Sequence, residues 1–186
     1  MDRRRRDDVQ LLSAGDPLMT GHASASRVVD APPDDVFNTI TDVARLPDWN
    51  DAITAVIEQP DQLDVGTQWV VEMHALGKTW HSRSELETFD PTSRCFAYRS
   101  ATDDGNPSYA LWTWVVSDQA DRALVTVACE LHPVSFWRRA LLVRIRERQL
   151  ARTELPHSLA SLGAAARRGP RGRADEPLLA ERQTLP

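Results

Sequence analysis

Apolar and polar positions alternate with period two along most of the chain, then give way to a helical period near its end. Trp69, Val71 and Met73 share one face of a strand predicted over 67–76. Trp112, Trp114 and Val116 share one face of another over 108–117, with Tyr109, Leu111, Thr113 and Val115 opposite. Val125, Val127, Cys129 and Leu131 alternate with Thr126, Ala128, Glu130 and His132 over 122–132. Weaker alternation and flanking turn residues predict further strands over 21–30, 53–59, 79–89 and 94–101. Gly77-Lys78 marks a tight hairpin, and Asp103-Asp104-Gly105-Asn106-Pro107 is the strongest turn signal. Short connections imply antiparallel neighbours.

Two helical patterns interrupt the strands. Prolines 32 and 33 followed by Asp34 and Asp35 suit a first helical turn, and Val36, Phe37, Ile40 and Val43 or Ala44 give its buried face. A second short helix over 42–46 should end near Pro47-Asp48-Trp49-Asn50. After Pro133, Trp137, Leu141 and Ile145 recur every four residues. Leu155, Leu159 and Leu162 repeat the pattern beyond Pro156, so a long helix is predicted from Trp137 to about Ala166. A long helix after a run of strands must bury its face against them, which gives an α+β architecture. Both faces of the 108–117 strand are bulky, so a one-residue change of register would exchange its inner and outer sets.

Length and charge refine this picture. A chain of 186 residues accommodates one domain with tails. We expect a disordered segment over 1–20, a folded domain over 21–166 and a disordered Arg- and Pro-rich tail over 167–186. Residues 21–134 carry seven Lys or Arg against eighteen Asp or Glu, net −11. Residues 135–186 carry eleven Arg against five acids, net +6. Attraction between acidic body and basic end, plus solubility, explains this most simply. The acidic body argues against nucleic acid as a partner, and contact with a membrane surface is expected to be transient at most. No apolar run approaches a membrane span or follows the basic Arg3–Arg6 cluster as a signal peptide would, so a cytoplasmic location is expected.

Candidate chemistry is sparse. Cys95 and Cys129 lack metal-site or disulfide-framework spacing and read as small buried hydrophobes. His74 and His81 flank the Gly77-Lys78 hairpin and could face each other, but no third ligand accompanies them. Glu130 and His132 share a strand face and could supply a general base if that face is inward. No nucleophile triad, phosphate loop, dinucleotide fingerprint or zinc-protease motif occurs, so no catalytic residue, metal or cofactor is assigned.

The segments Val29-Asp30-Ala31-Pro32-Pro33-Asp34-Asp35-Val36-Phe37 and Asp42-Val43-Ala44-Arg45-Leu46-Pro47-Asp48-Trp49-Asn50 carry a resemblance. With Val65-Gly66-Thr67-Gln68-Trp69 and Glu85-Leu86-Glu87-Thr88-Phe89-Asp90-Pro91, they resemble the polyketide cyclase/dehydrase and lipid-transport family of the START-like, or SRPBCC, superfamily over roughly 21–165. The resemblance implies a helix-grip fold: a curved seven-stranded antiparallel sheet wrapped around a long C-terminal helix, with two short helices after the first strand plugging one end. It also implies an apolar cavity between sheet and helix. The aromatic inner face is consistent with binding or carriage of a small hydrophobic molecule, lipid or polyketide-like. The alternative is aromatase/cyclase or dehydratase action on a ligand in the same cavity. The expected ligand-binding residues are Trp49, Trp69, Met73, Trp80, Tyr98, Trp112, Trp114, Trp137 and Leu141. A monomer or homodimer is expected.

Overall fold

A computed structural model describes residues 21–75, 77–134 and 148–168. Its seven strands form one antiparallel sheet: β1 Gly21–Val29, β2 Ile53–Glu58, β3 Gln68–Ala75, β4 Lys78–Asp90, β5 Cys95–Thr102, β6 Tyr109–Gln119 and β7 Arg122–His132. The spatial order is β1-β7-β6-β5-β4-β3-β2, so only the β1–β2 connection leaves the neighbour-to-neighbour path. That connection holds helix α1, Pro33–Thr41, and a 3-10 turn, Val43–Asp48. The terminal helix is described from residue 148 and includes a π-helical segment, Leu150–Glu154, followed by α2, Leu155–Arg167. The expected helix-grip arrangement is therefore present. The predicted start of the long helix, with Trp137 and Leu141, lies outside the described residues, as do the expected disordered segments except Arg167 and Arg168.

The sheet curves because its ladders are interrupted. Register shifts occur twice between β2 and β3, and once in β4 between Leu86 and Thr88. An extra residue bends a strand and strengthens its local twist. The β4 shift also changes which parity points inward. Before it, Leu86 faces Tyr98; after it, Phe89 faces Phe96. Phe89 thus reaches the concave side, where it stacks on Phe37 of α1 with ring centroids 6.1 Å apart.

Helix α1 forms where predicted. Pro32 precedes its first turn, Asp34 and Asp35 occupy that turn, and Val36, Phe37 and Ile40 are buried. The second short helix is a 3-10 turn that runs through Pro47 and ends at Asp48, within the stretch where an end was expected. Its tighter winding buries Val43 and Leu46 and leaves Ala44 exposed. Arg45 is buried as well, and its Nη2 donates to the Ala165 carbonyl at 2.7 Å. The Ala165 carbonyl, in the last turn of α2, thereby takes a second donor beside the Arg168 N–H at 3.1 Å.

The terminal helix buries Leu155, Leu159 and Leu162, the predicted stripe. Each such side chain contributes about 1.5–3 kcal/mol when fully removed from water. Gly163 lies on the side of the helix that meets β1, where a Cβ would make ordinary contact with Val29 Cγ1 at 3.4 Å. Pro156 has no N–H to continue an α-helical ladder. The chain shifts register just before it, with the Leu155 N–H bonding to the Leu150 carbonyl.

The concave face of β6 carries Trp112, Trp114 and Val116. Tyr98 faces Trp112, Phe96 faces Trp114, and β7 answers with Cys129, Val127 and Val125. This resolves the ambiguity between its two bulky faces.

Candidate ligand cavity

The concave face is not filled along its whole length. At the end covered by α1, Phe96, Trp114 and Val127 form a row of large side chains across β5, β6 and β7. Trp49 closes on Trp114 edge to face, with centroids 5.3 Å apart. The next row contains Leu86, Tyr98, Trp112 and Cys129. Beyond it the side chains shrink. Trp69 faces Ser84, Ser84 faces Ser100, Ser100 faces Ala110, and Ala110 faces Leu131. Three small residues in the middle of a curved floor leave unfilled space.

That space is a cavity of about 360 Å³. Trp69, Met73, Trp80, Tyr98 and Trp112 line it, Leu46 and Asn50 contribute from the end of the 3-10 turn, and Leu150 contributes from the terminal helix. A volume of this size is within the roughly 300–1,000 Å³ typical of small-molecule sites. It opens between β3–β6 and the described part of the terminal helix, where a gap between sheet and helix was expected.

Five of the nine expected binding residues meet at this cavity. Trp49 and Trp114 do not line it. Both are almost fully buried, and their mutual edge-to-face packing occupies the space a ligand would need. Trp137 and Leu141 lie outside the described residues. The lining also includes Ser82, Ser84, Ser100 and Ala110, which were not singled out from sequence. A signal for two of them exists. Trp80, Ser82, Ser84 and Leu86 recur at period two, while His81, Arg83, Glu85 and Glu87 occupy the opposite parity.

The cavity is apolar with a narrow polar strip. The Trp112 indole N–H donates to Ser100 Oγ at 3.0 Å. Ser82 Oγ donates to the Ala101 carbonyl at 3.1 Å, and Thr102 Oγ1 donates to Asp104 at 2.7 Å. Burial pushes the Tyr98 phenol well above its ordinary pKa of 10.0, and the nearby Trp114 N–H pulls the other way. Tyr98 is thus a neutral hydroxyl over the ordinary pH range.

His132 is one of the cavity-lining residues and stacks on Tyr109, with ring centroids 4.5 Å apart. Arg99 lies over the other ring of that pair, 5.6 Å from the Tyr109 centroid. Glu130, half-exposed, lies 3.7 Å from His132 Nε2 and is not among the cavity residues. Arg83 is engaged on the outer face by Glu58 at 2.9 Å and Asp103 at 3.0 Å.

His74 and His81 do not pair across the hairpin. The ladder sets His74 against Thr79 and His81 against Glu72, because the turn falls between Ala75 and Lys78. His74 Nδ1 lies 3.1 Å from Thr79 Oγ1. Among the described residues no group of three or more His, Cys, Asp or Glu is placed to hold a metal ion. No described helix is long and apolar enough to cross a membrane.

Comparison with solved structures returns the same architecture. Ara h 8.0201 superposes with a TM-score of 0.62 at 14% identity, over 81% of this chain and 99% of that one. Ginseng major latex-like protein 151 from Panax ginseng gives a TM-score of 0.60 at 12% identity, over 78% and 97%. The Zhui aromatase/cyclase of a Streptomyces species gives 0.56 at 21% identity, over 80% and 95%. Identities this low establish a common fold and nothing finer. A comparison with curated protein sequences gives no match. The family described as polyketide cyclase / dehydrase and lipid transport matches residues 20–156, most of the chain. The protein belongs to that polyketide cyclase/dehydrase and lipid-transport family, with the helix-grip fold.

Proposed function

We propose that this protein binds a small hydrophobic molecule in the cavity between its sheet and terminal helix. The observation that carries the reading is the row of small residues Ser84, Ser100 and Ala110. Flanked by Trp69, Trp80 and Trp112, it leaves about 360 Å³ unfilled. A core selected only for stability would cover these apolar walls with side chains, since apolar surface left accessible to water forgoes about 25 cal/mol per Å². Flat aromatic walls favour planar or lipidic guests, and the indole and hydroxyl groups can orient a polar edge. The test is native mass spectrometry of the full chain against a panel of lipids and aromatic compounds. Specific complexes that also raise the unfolding temperature are expected. Absence of any complex or stabilisation across the panel overturns the reading.

One observation favours a second reading, aromatase/cyclase action on a ligand held there. The His132 imidazole, stacked on Tyr109, is an ionisable group in the cavity lining. A proton acceptor there could serve ring closure on a folded chain of ketones. Incubation with a linear poly-β-ketone substrate and chromatographic detection of aromatic products tests this. Unchanged turnover in His132→Gln removes the histidine from the chemistry.

A further inference from the structure

The hydroxyls on the cavity floor are not equivalent. Ser82 and Thr102 have already given their protons to the Ala101 carbonyl and to Asp104. Ser100 Oγ accepts the Trp112 N–H at 3.0 Å, so its own proton remains to be donated. Ser84, buried and part of the cavity wall, donates to no acceptor among the described residues. Ser84 and Ser100 face each other directly on β4 and β5. Directly opposed inward residues hold their Cβ atoms about 4.5–5.5 Å apart, close enough for two hydroxyls to converge on one atom. A carbonyl oxygen has two lone pairs and accepts two such donors.

We propose that Ser84 and Ser100 form a donor pair that selects uncharged, flat ligands bearing a carbonyl oxygen. This rests on the cavity-binding reading and assigns it a ligand class. The surroundings fix the remaining features. Trp69 lies beside Ser84 in the same row, and the Trp112 ring is anchored to Ser100 by its N–H. The carbonyl is therefore placed where a ring system attached to it meets indole faces. Among the described residues, no Asp, Glu, Lys or Arg side chain lines the cavity, and its lining includes one histidine, His132. An ionised carboxylate on the floor would lose its hydration and gain only neutral donors, an unfavourable exchange.

Three probes of similar shape separate the contributions: 2-acetylnaphthalene, 2-isopropylnaphthalene, in which a methyl replaces the oxygen, and 2-naphthoate. Isothermal titration of the full chain at pH 8 reads each affinity. Ser84→Ala should weaken the ketone about fivefold to tenfold, the scale of one lost hydrogen bond, and leave the hydrocarbon unchanged. Adding Ser100→Ala should weaken the ketone further, with thermal unfolding confirming that both variants are folded. Ser84→Thr, which keeps the hydroxyl, should restore ketone binding. The naphthoate should bind wild type at least tenfold more weakly than the ketone. Equal losses for ketone and hydrocarbon, or no loss for either, overturn the donor pair while leaving the cavity reading intact. Naphthoate binding as tight as ketone binding overturns the selection against charge. Failure of all three probes to bind wild type overturns this ligand class, and the lipid panel above then decides whether the cavity reading falls with it.

Discussion

The two ends of the concave face are built from the same strands and differ in side-chain volume. Toward α1, Phe96, Trp114 and Val127 stand in one row and Trp49 seals them. Two rows away, Ser100 and Ala110 stand on the same two strands as Phe96 and Trp114, with Ser84 beside them on β4, and the space above them stays open. Pairing of β5 with β6 and of β6 with β7 runs through both without a shift, and β4 shifts register once between them. The difference shows that the hollow does not come from a break in the sheet or a displaced strand. It comes from small side chains, Ser84, Ser100 and Ala110, where the paired strands carry large ones nearer α1. One end then contributes stability, and the other gives up some of it for room.

The largest expected effect separates two neighbouring tryptophans. Trp114 is 2% exposed and packs against Trp49; Trp112 is partly buried and forms part of the cavity wall. Trp114→Ala should lower the unfolding free energy by about 3–5 kcal/mol, as removal of a large core side chain does. Trp112→Ala should cost clearly less, because one side of its ring already faces space. Urea unfolding measures both. Equal losses would mean that the two ends do not differ in packing.

The next prediction fills the hollow. Ala110→Leu places a branched side chain beside Ser100 on the floor. It should leave stability within about 1 kcal/mol of wild type, since it enters space instead of a packed core. It should weaken any cavity ligand by tenfold or more, read by titration with a ligand found in the lipid and aromatic panel. The same insertion at Val127, in the packed row, should be destabilising by about 1–3 kcal/mol.

Much of this comparison was legible before the structure, and the missing part has a physical cause. Alternation identified the strands, and the Leu155-Leu159-Leu162 stripe identified the buried side of the terminal helix. The Pro32-Pro33-Asp34-Asp35 start of α1 was equally plain. These signals are local. The hollow is not local. Ser84, Ser100 and Ala110 belong to three strands, and only the cross-strand register brings them into one row. A serine on an alternating strand reads as an outward residue until its neighbours' parity is known. The inner face of β6 was ambiguous for the same reason, and pairing with Phe96 and Tyr98 settled it. Trp49 and Trp114 were expected at the cavity because aromatic residues suit both walls and cores. Which of these a given ring becomes depends on whether another ring sits opposite it.

Between the two ends lies Tyr98, whose phenol is held neutral by burial. The folded-state pKa is raised, so its stabilising contribution is complete below about pH 10, the ordinary value. Above that, the unfolded chain ionises while the folded chain does not, and stability declines with a slope approaching about 1.4 kcal/mol per pH unit. Tyr98→Phe should remove this component of the alkaline decline. Urea unfolding of both proteins from pH 9 to 11 checks it. Identical slopes would mean that the ring is more hydrated than its place between the two rows implies.

The smallest effect lies in the β6–β7 hairpin, beyond the packed row. Gln119 faces Arg122, so Ala120 and Asp121 form a two-residue loop. Ala120 has φ +53, and Asp121 is not among the residues with positive φ. Positive φ at the first loop position alone is the pattern of a type II′ turn, which prefers glycine there. Alanine in this region sets its Cβ against the following carbonyl, a clash that glycine lacks. Glycine also loses more freedom on folding, which offsets part of the gain. Ala120→Gly should therefore stabilise the protein by about 0.5–1 kcal/mol, measured as a rise in the urea midpoint at constant slope. Ligand affinity should not change, because the hairpin lies at the opposite end of β6 and β7 from Ala110 and Leu131 on the cavity floor. A shift in affinity with this substitution would mean that the packed and hollow ends are mechanically coupled through those two strands.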